Sequence, residues 1–331
     1  MVVLGVILAM TQLPFVVWSA GSLTNIYAGT AGQPRLTITG APTYETTGKL
    51  QVASVAVTKQ TVSLWRALPA YYNHDDAVLP QVVSFPVGLP IAQVATEQGS
   101  AEPQRAAEAA ALRQVGLPVE RAPRVVAVVS AGPSFGWLLP DDVIEGVDSS
   151  TVTSVAEFNQ ALAMRSVGDT VQLTVNRAGV RLDSKIDVVA QASNNEQQTP
   201  SLGLILTDSF LLGGVDIQGA PTDIGSGLIL AIGIYDLLTP GGLLGSLSVA
   251  GTGVVDANGV VSGVAGANER LRAARSAGAA VFLVPRSNCA NLYLPLSGIT
   301  VVAVSSLAES ISALQTLAGG AGPGAVPTCP A

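Results

Sequence analysis

No charged side chain precedes Arg35, and residues 2–20, VVLGVILAMTQLPFVVWSA, are mostly apolar. Nineteen residues rising 1.5 Å each reach about 28 Å, close to the hydrocarbon thickness of a bilayer. The run therefore predicts a single-pass transmembrane anchor over residues 1–22, because bilayer helices tolerate a proline such as Pro14. A cleaved signal peptide is the competing reading. Against it stand Trp18, near a cut after Ala20, and the absence of a basic n-region. With the anchor in place, the expected location is the cell membrane, with the bulk of the chain extracytoplasmic. There Cys289 and Cys329 can pair, closing a loop of about 40 residues that adds roughly 4 kcal/mol in the chain-entropy model. Two buried free thiols are the alternative.

Chemistry is limited by what the 331 residues lack. There is one histidine, His74, in a polar stretch YYNHDD (71–76), and the lysines are Lys49, Lys59 and Lys185. A net charge of -7 argues against nucleic acid, since neutralising phosphates takes clustered Lys and Arg. No Cys-x-x-Cys or Cys/His cluster points to a metal, and no cofactor is expected.

Beyond the anchor, KLQVASVAV (49–57) alternates with the period of a strand, and EPQRAAEAAALRQVG (102–116) reads as a helix stopped by Gly116. These belong to a strand-and-helix region, 23–122. A compact unit at 123–192 follows: strand RVVAVV (124–129), helix SVAEFNQALAM (154–164) opened by a Ser154/Glu157 capping box, and strand TVQLTVNR (170–177). Residues 191–201 read as a linker, 202–318 as a mixed α/β domain and 319–331 as a tail. The fold class is α+β.

The middle unit resembles a bacterial PDZ domain. GPSFGWLLPDDVIEGVDSS (132–150) keeps Asp142, Val143, Ile144, Val147 and Asp148 of that pattern, while Asp141 and Ser149 replace glycines. The resemblance implies β-augmentation, in which a peptide adds a strand to an exposed sheet edge beside a helix. The peptide-binding residues would be Gly116 and Leu117 of the loop GLPV, Val125 and Ala127 on the edge strand, and Phe158 and Leu162 on the helix. Pro118 in that loop lacks a backbone donor for a terminal carboxylate.

From 202 onward the order of motifs is similar to the proteolytic domain of Lon-type (S16) serine peptidases, in the membrane-anchored PDZ–Lon arrangement without an ATPase module. The segments are DIGSGLILAIGIYDLLTPGGL (223–243), AGTGVVDANGVVSGVAGANER (250–270) and AGAAVFLVPRSNC (277–289). That family implies a Ser-Lys dyad and a homo-oligomer. Here the serine position falls on Gly225, with Ser226 one residue on, and the lysine position falls on Arg270. A guanidinium stays protonated and cannot act as general base. Ser226 is then the start of a helix, and Asp256 in VVDANG a turn residue. Asp236 and Glu269 could handle a proton but carry no signature of their own. The expected function is a membrane-tethered pseudopeptidase that binds peptides or proteins through the PDZ-like groove. The alternative is an ATP-independent serine endopeptidase using Ser226 with a non-standard base.

Overall fold

From Phe15 on, the apolar N-terminal run forms a strand where a helix was expected. β1 (Phe15–Asn25) begins with the β-branched and aromatic residues Phe-Val-Val-Trp and is hydrogen-bonded on both sides. A membrane helix over residues 2–20 is therefore corrected from Phe15 on, and residues 1–12 lie outside the described residues. Among the described residues, no helix is long and apolar enough to cross a membrane. The computed structural model describes residues 13–29, 35–58, 61–72, 76–80, 101–130, 132–192, 198–221, 223, 225–293 and 297–330. His74 falls outside this set.

The chain divides into two units: Met1–Thr37, Thr43–Gln114 and Gln218–Ala331 form one, and Ile38–Pro42 with Val115–Ile217 the other. In the first, β1 pairs antiparallel with β3 (Lys49–Val57) and with β4 (Ala77–Pro80). β14 (Ser248–Gly251), β17 (Val281–Pro285) and β18 (Thr300–Val304) continue from β3 as a parallel run, giving the order β18-β17-β14-β3-β1-β4. The continuous apolar sequences VFLVP and TVVAV suit parallel strands covered on both faces. A short pair, β15 (Val254–Val255) and β16 (Val261–Ser262), lies apart from this sheet.

Helices fill the same unit: α1 (Leu64–Tyr72), α2 (Ala101–Val115), α4 (Gly227–Leu238), α5 (Ala267–Ser276) and α6 (Leu307–Ala318). α4 is apolar all round and buried along nearly its whole length, as such a helix must be in water. It packs on β3 and β14, and α5 packs on β1 and β3. Cys289 and Cys329, 40 residues apart, form a disulfide that fastens the C-terminal tail.

The second unit is a sheet of β12 (Leu204–Leu211), β5 (Glu120–Val128), β6 (Val143–Val147), β8 (Thr170–Arg177) and β9 (Val180–Asp187), in that order, with β7 (Ser150–Thr151) beside β6. One helix, α3 (Val155–Ala163), packs against it. Its N-cap is Ser154, whose Oγ accepts from the Glu157 backbone N–H at 3.2 Å. β10 (Val189–Ala192) and β11 (Gln198–Ser201) form a ribbon across the expected linker, and β2 (Thr37–Thr39) pairs with β13 (Asp216–Gln218). The sequence places the start of the C-terminal domain at 202. In the structure the second unit runs to Ile217, so β12 belongs with the PDZ-like sheet.

Gly251 lies on the parallel strand β14. A Cβ there would sit 2.8 Å from Ile229 Cδ1 and 2.9 Å from Leu283 Cβ. Gly251→Ala should overpack this core and cost about 1–3 kcal/mol. Thermal denaturation monitored by circular dichroism reads the loss; an unchanged midpoint contradicts the packing.

Candidate functional site

β5 and α3 enclose the groove that the sequence assigns to peptide binding. Val125 on β5 and Phe158 and Leu162 on α3 are buried in one apolar cluster with Leu138, Ile144 and Leu173. Ala127 lies further along β5 and is half-buried. Gly116 takes φ +89 at the end of α2, with no atom near the position of a Cβ. Leu117 follows it in the loop before β5.

The free edge expected at Arg124–Val129 is not free. β12 pairs antiparallel with β5 along its length, from Leu204↔Val128 through Thr207↔Arg124 to Leu211↔Glu120, with one irregularity between Ile205 and Leu206. Leu204 and Leu206 pack against the apolar cluster that holds Phe158 and Leu162. Asp208 Oδ1 accepts from the Val155 backbone N–H at 2.6 Å, at the first turn of α3. A carboxylate there also suits the positive end of the helix dipole. Beyond Leu211 the chain turns at Gly213, φ +60, where a Cβ would sit 2.8 Å from Pro118 O. β12 thus lies where an added strand would lie, and its C-terminal end leads past the GLPV loop. The sequence shows β12 only as an apolar stretch; its partner is a non-local choice that no local pattern announces.

The PDZ-like turn is held by ions. Asp142, nearly fully buried, accepts two bonds of 2.7 Å from Arg177 and one of 2.9 Å from the Leu139 backbone N–H. Asp141 stands at φ +75, the left-handed conformation that explains a glycine at this place in the pattern. Its carboxylate pairs with Arg124 at 2.6 Å.

In the other unit, Gly225 sits at φ +85, and a Cβ there would lie 2.8 Å from Thr252 Oγ1 and 2.9 Å from Val264 Cγ1. A serine at this position is strained both by backbone and by neighbours. Ser226 is buried at the start of α4 and its hydroxyl donates to Pro221 O at 3.1 Å. Arg270 on α5 is buried and donates through Nη1 to Ala53 O. Burial lowers its pKa, against the nearby charges of Asp223 and Glu269. Burial also raises the carboxyl of Glu269 above the usual range. Asp256 is a turn residue: its Oδ1 accepts from the N–H groups of Asn258 and Val260, both at 2.9 Å.

Asp236, fully buried on α4, accepts from Tyr27 Oη at 2.6 Å and from the Leu243 N–H at 2.6 Å. Burial holds its carboxyl above the ordinary range, offset in part by these two bonds. Burial and the neighbouring carboxylate push the Tyr27 phenol upward. These two groups tie the end of β1 to α4. Among the described residues, no group of His, Cys, Asp and Glu side chains could hold a metal ion.

A strand-and-helix groove closed by antiparallel pairing, on a sheet with this turn, is the arrangement of a PDZ domain. The family model for the PDZ domain matches residues 107–188, so a PDZ domain is present. Solved structures similar to the chain include the PDZ domains of SdrC-like proteins from two Listeria species. That of Listeria monocytogenes is 25% identical over 26% of this chain and 86% of its own, with TM-score 0.24. That of Listeria innocua is 24% identical over 26% of this chain and 92% of its own, with TM-score 0.24. No curated protein matches the chain.

A carboxyl whose folded-state pKa exceeds its unfolded one stabilises fully below the unfolded value, about 4, and loses that contribution as pH rises through the folded value. Asp236 is of this kind, so the stability of the wild-type protein should fall from about pH 4 upward relative to Asp236→Asn. Urea denaturation midpoints across this range test it. Parallel curves contradict it.

Proposed function

We propose that the chain is a peptide-binding protein in which the PDZ domain recognises extended segments and the other unit is a catalytically silent relative of the Lon-type proteolytic fold. The observation that carries the silence is the state of Arg270. It is buried, remains a cation at any working pH, and is already bonded to Ala53 O, so it has no role as a proton acceptor. The hydroxyl of Ser226, committed to Pro221 O, supports the same reading. So does the crowding around Gly225, which leaves no easy place for a side chain. An extracytoplasmic location is part of the proposal, supported by the Cys289–Cys329 disulfide, a bond that persists in oxidising compartments.

The test is labelling with a fluorophosphonate, alongside cleavage of an unstructured protein substrate. Wild type and Ser226→Ala should label equally weakly and cleave nothing. Labelling that depends on Ser226, accompanied by cleavage, overturns the silent reading. The double variant Gly225→Ser/Arg270→Lys should gain no activity and should melt earlier, because a left-handed non-glycine residue costs about 1–3 kcal/mol.

A further inference from the structure

β12 does four things that a bound peptide does in β-augmentation. It runs antiparallel to β5 over eight residues, with one register shift between Ile205 and Leu206. It places Leu204 and Leu206 against the cluster containing Phe158 and Leu162. It caps the first turn of α3 through Asp208. It then exits past Pro118 by a glycine turn and ends in no carboxylate. Its own fit is incomplete: Ser209 is buried, and its hydroxyl has no hydrogen-bond partner among the described residues. The outward face is also exposed at Ile205. These are features of a segment held by one face and by its backbone.

We propose that β12 is a ligand held in cis, and that its chemistry defines the external ligand: an internal extended segment of the pattern Leu-x-Leu-x-Asp, recognised without a free C-terminus, that binds by displacing β12. This rests on the peptide-binding reading above and sharpens it to one ligand class. The groove supplies an edge backbone for main-chain hydrogen bonds, apolar surface for two leucines on one strand face, and an unsatisfied helix N–H for the carboxylate. The GLPV loop gives no reward for a terminal carboxylate, since Pro118 has no N–H and the chain path continues past it. While β12 is in place, an external segment binds only in the fraction of molecules whose groove is open, so its apparent affinity is lowered by that fraction.

The experiment uses the full chain and a fluorescein-labelled peptide GLILTDSFLL, the sequence of residues 203–212, acetylated and amidated at its ends. Fluorescence anisotropy reads binding. The variant Leu206→Ser/Asp208→Ala, which weakens β12, should bind at least about ten-fold more tightly than wild type. A peptide with its Asp changed to Ala should bind more weakly, and a free C-terminal carboxylate should add nothing. Ala122 and Ser209 face each other across β5 and β12, at a separation that a disulfide can bridge. Oxidised Ala122→Cys/Ser209→Cys should therefore bind no peptide and recover binding on reduction. Wild type under the same reductant controls for Cys289–Cys329. This staple keeps the test decisive if the weakened variant unfolds.

Equal affinity of wild type and the folded weakened variant overturns the inference, as does binding to the oxidised staple equal to that of the reduced form. A different extended peptide bound equally by stapled and wild-type protein sinks the inference and leaves the peptide-binding reading standing. Absence of peptide binding in every form sinks both.

Discussion

A strand edge carries a row of backbone N–H and C=O groups that must be paired with something. The second unit is organised around that requirement at β5. One side of β5 meets β6, and the other receives β12, eight residues of the same chain. Because β12 is supplied in cis, the pairing carries no loss of translational freedom, and the groove between β5 and α3 closes over a continuous apolar cluster. Removing the pairing would expose the β5 backbone and the leucine-lined cleft together. The two consequences are one physical event.

The other unit is arranged by burial instead. Three of its buried polar side chains are engaged locally: Asp236 by Tyr27 and a backbone N–H, Arg270 by a carbonyl of β3, Ser226 by a carbonyl five residues back. A catalytic serine and its base need the opposite, a hydroxyl free to lose its proton and a partner able to take it. The two units thus differ: one closes a backbone edge with a strand of its own chain, and the other engages polar side chains in tying elements together.

The sequence made local chemistry legible and non-local pairing illegible. The bond from the Leu139 N–H to Asp142 and the Ser154/Glu157 cap act over a few residues, and these roles follow from their spacing, whereas the Arg177 partner of Asp142 lies 35 residues away. Asp141 at φ +75 keeps a glycine's backbone without its identity, a substitution visible in the pattern but not in its consequence. The run from Phe15 to Trp18 lacks charge, which fits a membrane helix and a doubly paired strand alike. Only the neighbours β3 and β4 decide between them. LILTDSFL reads as a strand with no sign of its partner, since loop closure and side-chain fit across more than 70 positions select β5. The crowding at Gly225 was equally hidden, because Thr252 and Val264 are brought there by the fold.

Everything in the second unit depends on β12 occupying the β5 edge in solution. Cross-strand nuclear Overhauser contacts in the full chain, between Ala122 and Ser209 and between Arg124 and Thr207, test this most directly. The register predicts both contacts, together with slow hydrogen exchange at the β5 amides facing β12. Absence of the contacts, with those amides exchanging at the rate of open backbone, would show an empty groove and contradict it.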